Sequence, residues 1–343
     1  MIDLRSDILA PMRPSIAKAW QDAAVRTPAF GLGEDPDERA LIEEVADHFG
    51  MEAGLLVPTG TMANQIALML HCAPGERIIA DAGAHIATNE AQSTAGLAGV
   101  EVVAIKGNRG HLAPEQIAPF LQPPPPNKAA RWLCLVCLEN THNRAGGTLA
   151  PVGTSEAIAK TTHAAGASLH VDGARIWNAI VAQDTNGRAL VAGANTLAVN
   201  LNKGLGAPLG SLLLGRADAM TEAAALRRML GGWWRPLGPV AAAARAALAD
   251  FRPRLQADHA NAQTFAEIVA ADMPAAVVWP ETNIVMVHSP DPGRVLTALE
   301  RHGVRASDYG AGRIRFVFHG GHTQGHARKA AQTLVLALKE LEP

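Results

Sequence analysis

Short apolar runs recur along this chain, each bounded by Gly, Asp or Asn: "AGLLVPTG", "ERIIAD", "VEVVAIKG", "WLCLVCLEN", "ASLHVDGAR", "NTLAVNLNKG" and "GSLLLG". Helical stretches separate most of them, such as "DERALIEEVADHFGM", with Leu41, Ile42, Val45 and Phe49 on one side, and "TMANQIALMLHC". Strands that are apolar throughout and alternate with helices are buried on both faces, which is the signature of a parallel sheet between helical layers. The expected fold is therefore α/β, with a mostly parallel sheet of about six or seven strands, and ligands are expected at the strands' carboxyl ends.

After "GGWWRPLGP" the texture changes to long helices and the strands "AVVWP", "NIVMVHS" and "RIRFVFHG", which reads as a smaller α+β unit. The predicted organisation is a large unit over residues 41–240, a small one over 241–343, and an N-terminal segment 1–40 packed near the small unit. "FLQPPPPNKAAR" reads as an extended surface turn. A formal net charge of -2 leaves no basic excess for phosphate backbones, so no nucleic-acid partner is expected. No apolar stretch has membrane-spanning length without a charge. The three cysteines, Cys72, Cys134 and Cys137, suit a reducing, cytoplasmic setting rather than a disulfide framework. Cys134 and Cys137, three apart on a strand, face opposite sides.

The strand ends carry the chemistry. "SLHVDGAR" ends in Asp172 with Arg175 just beyond, and "AVNLNKGLG" ends in Lys203. An amine there is costly to desolvate, so a carboxylate nearby reads either as a buried ion-pair partner or as part of a site. In "VPTGTMANQ", a strand runs through Gly60 and Thr61 into a helix start, whose N–H groups suit one phosphate. It lacks both the dinucleotide and the P-loop fingerprints. His85 follows another strand and could supply a ring to stack on a planar group. A phosphate turn, a stacking ring, an aspartate and a lysine together fit pyridoxal 5′-phosphate, whose aldehyde needs an amine and whose pyridine nitrogen needs a carboxylate.

The stretches "LRSD" (4–7), "GEDP" (33–36), "PTGTMANQ" (58–65), "ENTHNRAGG" (139–147), "HVDGARIWNA" (170–179), "NKGLGAPLGS" (202–211) and "IRFVFH" (314–319) follow one another in a specific order. On them the chain resembles the low-specificity L-threonine aldolases, fold-type-I pyridoxal-phosphate enzymes. The resemblance implies cleavage of an L-3-hydroxy-α-amino acid to glycine and an aldehyde, in a homodimer or homotetramer with sites between subunits. It makes Lys203 the Schiff-base lysine, Asp172 the pyridinium partner, His85 the stacking ring, and Gly60 and Thr61 phosphate ligands. Ser6, Arg175 and Arg315 become the carboxylate-binding set, Glu90 and Asn143 line the site, and Arg235 reaches a phosphate across the interface. His85, directly or through a water, is the expected base for the β-hydroxyl.

The chain also departs from that pattern. Leu32 stands where the family has a tyrosine, Asn127 and the proline run replace a histidine region, and Asn202 replaces a serine. Trp233 and Trp234 stand where smaller residues are usual, which suggests a preference for a bulky β-substituent, as in phenylserine, or else an interface or core role. Other readings are racemisation, β-elimination or transamination with the same cofactor, and a metal-dependent hydrolase built on His319, His322 and His326. In the bland alternative, Ser6 caps a turn and the arginines are structural ion-pair partners.

Overall fold

The computed structural model describes residues 1–31, 33–121 and 133–340. Leu32, the proline run and Asn127 therefore lie outside the described residues. The large sheet has seven strands: β1 (Ala53–Val57), β2 (Arg77–Asp81), β3 (Glu101–Ile105), β4 (Leu133–Glu139), β5 (Ser168–Gly173), β6 (Thr196–Asn200) and β7 (Ser211–Gly215). Their spatial order is β1-β7-β6-β5-β4-β2-β3. Strands β3, β2, β4, β5 and β6 run parallel, while β7 is antiparallel to both β6 and β1. That exception follows from chain length. Parallel neighbours need a crossover, whereas the Leu201–Gly210 segment turns straight back. Every residue of β6 and β7 is buried, as their unbroken apolar runs require.

Helices cover the sheet. Helix α1 (Pro14–Ala24) comes first, followed by α2 (Pro36–Phe49). Helix α2 starts at Asp35, whose side chain accepts the N–H groups of Asp37 and Glu38, and it stops at Gly50 with φ +68°. It buries Leu41, Val45, Ala46 and Phe49, and the Phe49 ring meets Trp177 edge-on at 5.2 Å. Burying side chains of this size stabilises the fold by about 1.5–3 kcal/mol each. Helix α3 (Gly60–His71) begins directly after β1, with Thr59 as its N-cap. It buries two polar residues, Asn64 and Gln65, side by side with apolar ones. Buried amides need partners: Asn64 lines the site, and Gln65 donates to Glu90 beside it.

The second sheet orders as β10-β11-β9-β8, all antiparallel, from β8 (Val277–Val278), β9 (Ile284–His288), β10 (Ser307–Asp308) and β11 (Arg313–Val317). Phe265, Phe316 and Phe318 cluster behind it, with ring centroids 4.7 and 5.6 Å apart. Ile2 and Leu4 join this core, and Ile2–Asp3 pairs in parallel with Val304–Arg305. Helix α1 packs elsewhere. Ile16 of α1 belongs to the core of the large sheet.

The cysteine expectation needs correction. Cys72, at the carboxyl end of α3, is bridged to Cys134 on β4 with Cα atoms 5.5 Å apart, and Cys137 stays free and buried. Comparing cysteines along one strand could not reveal a pairing between a helix end and the sheet. No helix among the described residues is long and apolar enough to cross a membrane.

Candidate active site

A cavity of about 460 Å³ opens where β4, β5, β6 and the start of α3 converge. Its lining includes Ser6, Gly60, Thr61, His85, Glu90, Asn143, Asp172, Arg175, Lys203 and Arg315. Segments from residue 6 to residue 315 thus meet at one place. Arg235 does not line it. That exposed guanidinium donates to the Phe30 carbonyl at 2.9 Å and lies over the Trp233 and Phe30 rings. Trp233 and Trp234 also stand outside the lining. Trp233 is covered by Arg228 at 4.5 Å, and Trp234 packs against the large core.

The Lys203 carbonyl accepts the Gly206 N–H at 2.8 Å, while the Lys203 amine has no hydrogen bond or ion pair with any described residue. Burial lowers its pKa, and the neighbouring Arg175 charge adds to that, so a larger share of it is free amine. Asp172 stands next to last in β5, and its orientation is fixed. One carboxylate oxygen accepts from Asn64 Nδ2 at 2.9 Å and the other from the Ala174 N–H at 3.0 Å. Asn64 is fixed in turn by His170, whose Nε2 lies 3.1 Å from Asn64 Oδ1. With Asn64 donating to carboxylates, that oxygen must accept, so the His170 proton sits on Nε2.

Glu90 collects donors. Its Oε1 lies 2.7 Å from His85 Nδ1, 3.1 Å from Asn64 Nδ2 and 3.2 Å from Thr61 Oγ1, and its Oε2 accepts from Gln65 Nε2 at 3.1 Å. Burial pushes the His85 pKa down, but the Glu90 hydrogen bond and the charges of Asp172, Glu90 and Glu139 outweigh it, and the net shift is upward. The Glu90 contact occupies Nδ1 and leaves Nε2 for other work. The His85 backbone is pinned too, its N–H donating to Glu139 Oε2 at 2.6 Å. At Gly60, a Cβ would come within 2.4 Å of Asn200 Oδ1, so only glycine lets the helix start approach so closely.

On the opposite wall, Arg175 lays its Nε and Nη2 on the two oxygens of Asp7, both at 2.8 Å. Asp7 is fully buried, and burial alone would raise its pKa. The Arg175 charge and hydrogen bonds prevail and hold it at about 2. Asn143 Oδ1 accepts from Arg175 Nη1 at 3.2 Å and from Arg315 Nη1 at 2.6 Å. Ser6 both lines the cavity and caps a short turn, its Oγ accepting the Ile8 N–H at 3.4 Å.

Sequence reasoning gave no role to Asp7, Asn64, Glu139 or Tyr309. The first three lie inside motifs already quoted, so buried polar types within those motifs were the available signal; Tyr309 lies outside all of them. The C-terminal histidines form no ligand set. The Nδ1 atoms of His319, His322 and His326 accept backbone N–H groups of Gly321, His319 and Thr323 at 3.2, 3.3 and 3.3 Å. Burial lowers the pKa of His319 and takes His322 to about 4, so both rings are neutral with the proton on Nε2.

The cavity suits a phosphate-bearing planar ring. It joins a half-buried amine without a partner among the described residues, a rigid carboxylate, an imidazole held from behind and a helix start bared by glycine. Residues 3–291 match the family described as beta-eliminating lyase. The low-specificity L-threonine aldolase 1 of Arabidopsis thaliana is 35% identical over 328 residues, spanning 93% of this chain and 91% of its own. The low specificity L-threonine aldolase of Escherichia coli (strain K12) is 36% identical over 288 residues, 84% of each chain. The solved structure of a threonine aldolase from Leishmania major superposes with a TM-score of 0.82 at 19% identity, covering 98% of this chain and 100% of that one.

Proposed function

Because the chain belongs to the beta-eliminating lyase family, we propose that it is a pyridoxal-phosphate-dependent aldolase that cleaves L-threonine and related 3-hydroxy amino acids to glycine and an aldehyde. The observation that carries this reading is the half-buried Lys203 amine, without a partner among the described residues, in the same cavity as the fixed carboxylate of Asp172. Lys203 would hold the cofactor's aldehyde carbon, Asp172 its ring nitrogen, His85 its ring face, and Gly60 and Thr61 its phosphate. When bound, the cofactor supplies an electron sink for the pair released from the breaking Cα–Cβ bond.

The chain's own residues do the rest. Asp172, locked by Asn64 and the Ala174 N–H, would keep a proton on the ring nitrogen. Arg175, Arg315, Asn143 and Ser6 would hold the substrate carboxylate and so orient the bonds at Cα. His85 donates Nδ1–H to Glu90 when neutral, which leaves the Nε2 lone pair to take the β-hydroxyl proton, directly or through a water. Arg235, outside its own chain's cavity, reaches a phosphate only in a neighbouring subunit, so the active form is a homodimer or homotetramer. Trp233 and Trp234 would touch a bulky β-substituent only by the same route. We place the protein in the cytoplasm, where the Cys72–Cys134 bridge forms only under oxidising conditions.

The test is to incubate purified protein with L-threonine and, separately, L-phenylserine, measuring glycine and aldehyde. Equal molar yields of both products are expected from at least L-threonine. D-Amino acid or 2-oxo acid in place of glycine would assign the same apparatus to racemisation, elimination or transamination.

A further inference from the structure

Tyr309 is the only tyrosine of the chain, and the site motifs give it no role. It stands in the tight loop between β10 and β11, where Gly310, Ala311 and Gly312 have φ of +71°, +52° and +69°. Three successive left-handed residues fold the loop back sharply, and the Tyr309 N–H closes it on the Arg313 carbonyl at 2.9 Å. The loop thereby presents the Tyr309 ring to the cavity wall. The Arg315 guanidinium lies 4.3 Å from the ring centroid, and that of Arg144 lies at 5.3 Å.

The phenol oxygen accepts from Asn143 Nδ2 at 2.5 Å and from Arg315 Nη1 at 2.9 Å. The amide orientation is fixed by its other end, because Asn143 Oδ1 receives two guanidinium N–H groups and an amide nitrogen could not. Neither donor can accept a hydrogen bond in return. The phenolic proton therefore has no acceptor among the described residues, while the residue lines the cavity. Meanwhile neither arginine has a whole fork to offer. Arg175 spends its Nε–Nη2 edge on Asp7, and Arg315 spends Nη2 on the Arg5 carbonyl at 3.0 Å. A carboxylate arriving beside both guanidinium groups lacks a donor that the phenol can supply.

We propose that the Tyr309 hydroxyl donates a hydrogen bond directly to the α-carboxylate of the amino-acid substrate, beside Arg175 and Arg315. This rests on the amino-acid aldolase reading above and names a further binding residue of that site. The phenol also buttresses Arg315, so a test must separate contact with substrate from support of the arginine.

Tyr309→Phe keeps the ring under Arg315 and removes only the hydroxyl. Glycine and methylamine, which share an amine and differ in the carboxylate, are titrated against the holoenzyme by its visible absorbance. Expected is a rise of about tenfold in the glycine Kd, the worth of one hydrogen bond to a charged group. The methylamine Kd and the absorbance without amine should be unchanged. The same pair of titrations in an Arg315→Lys background should again show a loss for glycine, within about twofold of the first. A glycine Kd unmoved by Tyr309→Phe, an equal loss for both amines, or an effect that disappears in the Arg315→Lys background each overturns the proposal. Product formation from L-threonine by the unsubstituted enzyme, measured separately, tests the aldolase reading itself, so the two failures are told apart.

Discussion

The two sides of the cavity are held together in different ways. The floor around Asp172 is built by the large sheet, helix α3 and the segment that follows β2. Asn64, Gln65, Glu90, His85 and Glu139 hydrogen-bond one another or pinned backbone in one dense network. The far wall is assembled from Asp7 near the N-terminus, Asn143 after β4, Arg175 after β5, and Tyr309 with Arg315 from the small sheet. The floor is thus fixed by local packing and the wall by the mutual position of the two sheets. A densely bonded floor suits a permanently held cofactor, and a wall shared between units suits a substrate that must come and go.

The comparison can be broken at its strongest point first. Asp172→Asn removes the charge at the centre of the floor and should lower kcat by about 10³-fold while leaving KM within a few-fold. A KM effect alone would move Asp172 to the substrate side. Asp7→Asn attacks the wall by leaving Arg175 buried and uncompensated, which costs about 3–5 kcal/mol of stability by urea denaturation. Asp7 has its pKa depressed from 3.8 to about 2. Its stabilisation is therefore complete above pH 3.8 and is lost as the pH falls through about 2. The wild-type protein should lose stability in that window, and Asp7→Asn should not show this component.

A subtler effect sharpens the floor. The pKa of His85 is raised above 6.5, so its ion pair with Glu90 stabilises the fold below pH 6.5 and fades as the pH rises through the higher value. The acid limb of kcat/KM against pH should accordingly lie above 6.5, and Glu90→Gln should move it down. An unmoved limb would assign it to another group. Smallest is Gly60→Ala, where the added Cβ meets Asn200 Oδ1. It should weaken cofactor binding roughly three- to tenfold while changing the Kd of glycine for the loaded enzyme by less than twofold.

The floor was the more legible side in the sequence. Strand ends announce themselves, because an apolar run that stops at Asp172, or shortly before Lys203, puts a charge where the sheet ends. The antiparallel course of β7 was not legible from its composition, since a buried strand reads alike in either direction. Asn64 and Glu139 were hidden because a polar residue inside a motif looks the same whether it faces a ligand or a neighbour. Tyr309 and Asp7 were hidden for a different reason. Their roles come from contacts across more than 160 positions of chain, Asn143 to Tyr309 and Asp7 to Arg175, which no local pattern records. The Cys72–Cys134 bridge escaped for the same reason at shorter range, 62 positions.

The central claim is that Lys203 carries the cofactor. Borohydride reduction of the purified protein, followed by proteolysis and mass spectrometry, should find one phosphopyridoxyl group, on the peptide containing Lys203, with loss of the visible absorbance. Lys203→Ala should show neither the absorbance nor the label. A label on a different lysine, or an absorbing and active Lys203→Ala protein, would contradict the account.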